Sequence, residues 1–350
     1  MKPRRRVLAL LIALCFVLAP VGGSAEAELA PAPIDDKGRF TNLDGVVGHG
    51  SAGVRFRFFL RRIASSFGSR PGAPARVDND GAFLRENASH SIPTVTWVGH
   101  ATLLIQMDHV TFLTDPNWSD TASPVSFAGP PRFVAPGIAL DDLPPIDFVL
   151  ISHNHYDHLD LRTLEALAER DPATRFFVPL ANGDLLRSRG IRRVTELDWG
   201  EVYSIGEVEI HCLPAQHWSR RGPFDERRAL WSSWAVTGPA RRFYFGGDTG
   251  YFSGFEKIGK ALGPFDLAAL PIGAYEPKAM MEQSHLNPEQ AVVAGMDVRA
   301  RRLIGIHFGT FDLSDEPLDE PPRRMRAAGR ENGFEDDQVW ILNVGETREF

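Results

Sequence analysis

The run Ser152-His153-Asn154-His155-Tyr156-Asp157-His158-Leu159-Asp160 places three histidines and an aspartate within six residues, directly after an apolar stretch. Imidazole nitrogens and carboxylate oxygens are donors that zinc accepts without thiolate. Two residues apart in an extended loop, His153 and His155 can point the same way and grip one cation. Asp157 and His158 follow where the chain turns into a helix, and can face a second cation nearby. As a purely structural device the same run would crowd repelling cations or leave buried polar groups unpaired, so the spacing favours metal ligation. Four side chains cannot complete two sites. His217 in Pro214-Ala215-Gln216-His217-Trp218, Asp248 in Gly246-Gly247-Asp248-Thr249-Gly250, and His307 each stand just past a predicted strand, where a shared sheet edge would gather them. The glycines beside Asp248 allow close backbone approach.

The elements that must position these side chains read as follows. β-rich runs cover 94–106 and 110–114 around a hairpin at 107–109, and a short apolar strand covers 148–152. Leu161, Leu164 and Leu167 recur at helical spacing over 159–170, with Asp160 able to cap. Further strands are predicted at 175–178, 208–213, 234–236, 242–245, 267–270, 303–306 and 339–342. Further helices are predicted at 182–189, 255–262, 287–297 and 321–328. Many strands with fewer helices imply an α/β (α+β) domain of two packed sheets with helices outside, spanning residues 91–350. Residues 28–90 read as a tether and an accessory segment.

The chain has 350 residues, 43% hydrophobic and 24% charged, which is the make-up of a globular protein with a sizeable core. Lys2 and Arg4-Arg5-Arg6 precede an almost wholly apolar run from residue 7 to residue 21, and Ala25-Glu26-Ala27 resembles a secretory cleavage site. Residues 1–27 therefore read as a signal peptide, with a membrane anchor and a twin-arginine route as alternatives. The expected location is periplasmic or secreted. Without that segment the formal charge moves from −7 to −10, with 34 Lys and Arg against 44 Asp and Glu. An acidic chain is a poor binder of nucleic acid. Only Cys212 remains, and it reads as a buried small hydrophobe.

The pattern His-x-His-x-Asp-His followed by His, Asp and His is similar to the metallo-β-lactamase superfamily. More narrowly, residues from about 95 to 350 resemble the phospholipases D that hydrolyse N-acyl-phosphatidylethanolamine. The matching stretches include Trp97-Val98-Gly99-His100-Ala101-Thr102, Leu113-Thr114-Asp115-Pro116, Leu197-Asp198-Trp199, Gly247-Asp248-Thr249-Gly250-Tyr251 and Ile306-His307-Phe308-Gly309-Thr310-Phe311. The resemblance implies a four-layer αββα sandwich. It implies one zinc on His153, His155 and His217, a second on Asp157, His158 and His307, and Asp248 bridging both. Manganese or iron would also suit these donors. His285 matches a histidine near the substrate phosphate, so Asp157, Asp248 and His285 are expected to carry the catalysis. The residues agree: Asn287, Pro288 and Gln290 look like a helix N-terminus, where an anion is welcome.

Two metals about 3.5–4 Å apart activate a shared water and clamp phosphoryl oxygens, so the expected reaction is hydrolysis of a phosphodiester such as N-acyl-phosphatidylethanolamine. The same constellation would also serve lactones, thioesters or β-lactams, since fold and metals do not fix substrate. A non-catalytic lipid- or metal-binding protein is the alternative from another class. Tyr156, Tyr251 and Tyr275 are candidate headgroup contacts, and the irregular stretch 117–143, with Trp118, Phe127 and Phe133, either lines an acyl channel or packs itself down. Asp115 and Asp147 either orient ligand histidines or cap turns. Arg55, Arg57, Arg61 and Arg62, interleaved with Phe56, Phe58, Phe59 and Leu60, form either an amphipathic element for lipid contact or a helix packed on the main domain. A homodimer is consistent with the resemblance.

Overall fold

The computed structural model describes residues 29–65, 72–125 and 127–350; the predicted signal peptide lies outside the described residues. Seven strands lie in each of two sheets. In chain order they are β1 (Thr94–Gly99), β2 (Thr102–Met107), β3 (Val110–Thr114), β4 (Phe148–Leu150), β5 (Arg175–Pro179), β6 (Val194–Leu197), β7 (Val202–Ile205), β8 (Val208–Leu213), β9 (Ser233–Thr237), β10 (Arg242–Phe245), β11 (Leu267–Pro271), β12 (Leu303–Ile306), β13 (Val339–Trp340) and β14 (Thr347–Glu349). The first sheet runs β14-β1-β2-β3-β4-β5-β6 and the second runs β13-β12-β11-β10-β9-β8-β7.

Strand alternation explains why both faces of the first sheet are covered. Trp97, Leu103, Ile105, Phe112, Phe148 and Leu150 turn into the core between the sheets. Val98, Leu104, Leu113, Val149 and Ile151 turn to the opposite face. There they meet Leu164 and Leu167 of α3 (Leu161–Arg170) and Leu186 of α4 (Gly183–Arg187). Behind the second sheet lie α5 (Gly254–Leu262), α7 (Pro288–Asp297) and α8 (Glu320–Glu331), which contribute Phe255, Ile258, Val292 and Met325 to the same core. The result is the expected four-layer αββα sandwich.

Asp160 caps α3 as expected, accepting from the Arg162 amide. Asn287 and Gln290 form a full capping box on α7, with Pro288 in the first turn. The run 94–106 is not one strand: the chain turns at His100, whose φ is +53°, between β1 and β2. Short helices α2 (Ala82–His90) and α6 (Lys278–Met281) and strands β6, β7 and β14 escaped the sequence reading.

The accessory segment is no mere tether. The Asn42 side chain donates to the His217 carbonyl at 2.9 Å and accepts from the His217 amide at 3.0 Å and the Trp231 indole at 2.8 Å. The amphipathic stretch forms α1 (Ala52–Ser65). Its Arg61 and Arg62 grip Asp315, and Arg62 also reaches Asp312. Phe56, Phe59 and Leu60 stay 62%, 58% and 48% exposed, so this helix does not pack its aromatics wholly onto the domain.

Candidate metal centre

Strands β1, β3, β4, β8, β10 and β12 run in one direction within their sheets, and the loops after their carboxyl ends converge. Open sheets place ligands at that edge. From these loops come His100, Asp115, the 153–158 run, His217, Asp248 and His307.

The structure brings all seven expected ligands together. Ring nitrogens of His153, His155 and His217 lie within 4.8 Å of one another, as do ligand atoms of Asp157, His158, His307 and His100. Asp248 stands between the groups. Its Oδ2 is 3.1 Å from His158 Nε2, 3.1 Å from His307 Nε2, 4.0 Å from His153 Nε2 and 3.9 Å from His217 Nε2. His285 Nδ1 is 3.8 Å from the same oxygen.

A relay of acceptors behind the rings fixes their tautomers. His158 Nδ1 donates to Asp115 Oδ2 at 2.7 Å. Ser152 Oγ donates to the same oxygen at 2.5 Å and accepts from His153 Nδ1 at 2.9 Å. His217 Nδ1 donates to the Ser284 carbonyl at 2.9 Å. Each bond leaves the Nε2 atom facing the centre. Asp115 is thus an orienting residue, whereas Asp147 accepts from the Thr111 amide at 2.7 Å and serves the turn before β4.

Electrostatics follow from burial and from these carboxylates. Burial pushes His100 down to about 3, and His155 and His285 down to about 4. Burial also opposes charge on His307, but Asp248 and Asp157 outweigh it and raise the group to about 9. His158 is likewise held well above its ordinary value, despite burial, by Asp248, Asp157 and Asp115. Asp157 and Asp248, though buried, are kept well below the usual carboxylate range, with His158 foremost among the groups that outweigh burial.

The donor set fits divalent cations on its own geometry. His158 Nε2, His307 Nε2 and Asp248 Oδ1 are buried without a hydrogen-bond partner, although the nitrogens stand close to Asp248 Oδ2. Native interiors seldom leave such atoms unsatisfied, and two imidazole nitrogens and a carboxylate oxygen turned inward suit a cation that takes the place of their protons. Gly247 permits the approach of the Asp248 loop: its φ is +58°, and a Cβ there would stand 2.6 Å from the Ser152 Cβ. His100, Asp115 and His307 also hold positive φ without being glycine, backbone strain that clusters at the site.

A cavity of about 310 Å³ opens from the ligands, lined by His155, Asp157, Asp248, His285 and His307 together with Phe58, Trp218, Met280, Met281 and Leu313. Tyr156 lines it. Tyr251 and Tyr275 do not: their hydroxyls donate to Asp297 at 2.6 Å and Glu320 at 2.8 Å. Of the described residues in the stretch 117–143, only Ala122 reaches this cavity. Trp118 packs under the first sheet and donates to the Ile138 carbonyl, while Phe127 is 87% exposed.

Sequence reasoning missed four residues here. His100, given no role, donates from Nε2 to Asp157 Oδ2 at 3.0 Å. Asn42 braces His217, and His49 lines the cavity with its ring 4.4 Å from that of Trp218. Arg221 stacks 4.0 Å from the Tyr156 ring and donates to the carbonyls of Asn154 and Leu159. Two of them had a signal in the sequence: His100 within the matching stretch 97–102, and Arg221 within the arginine-rich stretch 220–228.

Residues 110–308 match the family model of the beta-lactamase superfamily domain. The chain is 46% identical over 266 residues to N-acyl-phosphatidylethanolamine-hydrolyzing phospholipase D 1 of Caenorhabditis elegans, covering 72% of this chain and 74% of that one. It is 32% identical over 278 residues to the mitochondrial N-acyl-phosphatidylethanolamine-hydrolyzing phospholipase D of Saccharomyces cerevisiae, covering 76% and 58%. A solved metallo hydrolase from the archaeon Ignicoccus hospitalis shares the fold with a TM-score of 0.56 at 22% identity, covering 74% of this chain and 98% of that one. The chain belongs to the metallo-β-lactamase superfamily, among the metal-dependent hydrolases of the N-acyl-phosphatidylethanolamine-hydrolysing phospholipase D-like family.

Proposed function

We propose that the protein is a two-metal phosphodiesterase of phospholipase D type that hydrolyses N-acyl-phosphatidylethanolamine or a close analogue. The observation that carries the reading is the cavity in which the ligand cluster shares walls with Phe58, Trp218, Met280, Met281 and Leu313. Such walls suit an acyl chain leading to a polar linkage at the ligands. The exposed Phe56, Phe59 and Leu60 of α1, beside Phe58, suit contact with a lipid surface.

His153, His155 and His217 would hold one cation and Asp157, His158 and His307 the other, with Asp248 shared. Two zinc ions there would supply Lewis acidity and a water acidified to near neutral pH. The protein does the rest. His100 and Asp115 hold ligand orientation by their hydrogen bonds to Asp157 and His158. His285, kept neutral by burial, faces the same space and can hydrogen-bond the phosphate or take up the proton released by the attacking water and relay it to the leaving oxygen. The apolar walls exclude bulk water. One water adds to phosphorus, the bond from phosphorus to the ethanolamine oxygen breaks, and a proton passes to that oxygen. The products are phosphatidic acid and an N-acylethanolamine.

The test is the zinc-loaded protein in mixed micelles of N-acyl-phosphatidylethanolamine, with products identified by mass beside a His155→Ala control. Both products, absent from the control, support the reading. Turnover of lactones or thioesters but not of the phospholipid, with metal bound, would overturn it.

A further inference from the structure

A cavity of about 660 Å³ lies behind the metal-binding loop. His153, His155 and Asp157 face the metal centre, whereas the intervening Asn154 lines this second cavity and Tyr156 stands between the two, lining both. Four arginines reach it, Arg162, Arg189, Arg221 and Arg228, against the carboxylates of Asp160 and Asp225.

Those carboxylates are already satisfied. Asp160 accepts from the amides of Ser119 and Arg162 and from the Thr163 hydroxyl. Asp225 accepts from the amides of Arg221 and Gly222. The guanidinium groups are not matched in the same way. Arg189 pairs with Glu165 at 3.3 Å. Arg221 bonds only backbone carbonyls, Arg228 bonds the Phe224 carbonyl, and Arg162 makes no side-chain bond or ion pair among the described residues.

We propose that this cavity is a second ligand site, separate from the catalytic one, for a phosphate monoester. Such a group carries about −1.5 to −2 charges near neutral pH and three acceptor oxygens. Guanidinium forks match those oxygens two at a time, which a carboxylate would use less fully. Arg221 makes the site consequential. Its guanidinium holds the carbonyls of Asn154 and Leu159, which bracket His155, Asp157 and His158, while the Tyr156 hydroxyl donates to the Arg221 carbonyl at 2.9 Å. An anion seated against Arg221 therefore bears directly on the loop that presents the ligands.

The shared chemistry has two sources, a free phosphate monoester or the headgroup of a lipid such as phosphatidic acid. Calorimetric titration of the zinc-loaded protein with glycerol 3-phosphate, and flotation with phosphatidic acid vesicles against phosphatidylcholine vesicles, separate them. Expected are two binding events in the titration, one at the metals and one here. The Arg162→Ala/Arg228→Ala variant, altered at two exposed positions, should melt with the wild type and keep its zinc. It should bind in the second event about tenfold more weakly or worse. If vesicles are retained through these arginines and the free ester is not, the ligand is the lipid headgroup. Identical titrations and flotation for wild type and variant would overturn the proposal, whatever bond the metal centre proves to cleave.

Discussion

Asp115 Oδ2 and His158 Nδ1 lie 2.7 Å apart with both side chains wholly buried, and the same oxygen also receives the Ser152 hydroxyl that accepts from His153. One carboxylate thus sets the ring orientation of two ligands on different sides of the centre.

Asp115→Asn should keep the fold but misdirect these rings. Loss of such an outer partner typically lowers metal affinity by about 10- to 100-fold. Competition with a chromogenic chelator measures this; unchanged affinity would make Asp115 a structural residue only.

Asn42→Ala strands the His217 amide and carbonyl in a buried place, while the Trp231 indole keeps its bond to the Ala215 carbonyl. A cost of about 1–3 kcal/mol for each unsatisfied group is the relevant scale, so urea denaturation should show a clear loss of stability with the N-terminal segment present. No loss would mean that this segment is not fastened to the site.

In metal-free protein the histidines give stability two opposed slopes with pH. His285, His155 and His100 resist protonation when folded, so stability falls as pH drops below about 6.5 toward 4. His307 is raised to about 9, so its contribution is complete below about 6.5 and fades as pH rises through 9. Denaturation midpoints in chelator from pH 4 to 10 should form a dome. A flat profile above pH 7 would contradict the placement of Asp248 and Asp157 around His307.

Phe56→Ser/Phe59→Ser should lower turnover of micellar substrate several-fold and leave a soluble short-chain phosphodiester unaffected, since both rings are exposed and neither lines the cavity. Equal loss on both substrates would place these residues in the catalytic site instead.

The ligands were legible because four of the seven are local in sequence and the other three each follow a strand. His100 was hidden inside what reads as one continuous β run, because a positive φ at a non-glycine residue leaves no mark in hydrophobic periodicity. Asn42 and His217 are 175 residues apart, and nothing in an Ala- and Pro-rich start announces such a partner. Tyr251 and Tyr275 were chosen by residue type and neighbourhood in sequence, yet their hydroxyls are taken by Asp297 and Glu320. Arg221 shows that charge runs carry information that composition alone cannot place.

The first sheet supplies His153, His155, Asp157 and His158, while the second supplies His217, Asp248 and His307. Ions held between them would stitch the two halves of the sandwich together across long stretches of chain. By binding the folded chain and not the unfolded one they would stabilise the fold, in a protein whose only cysteine among the described residues is solitary. Stripping the metal should therefore do more than silence chemistry: the seam between the sheets should begin to breathe, and amide exchange along β4, β10 and β12 should quicken first.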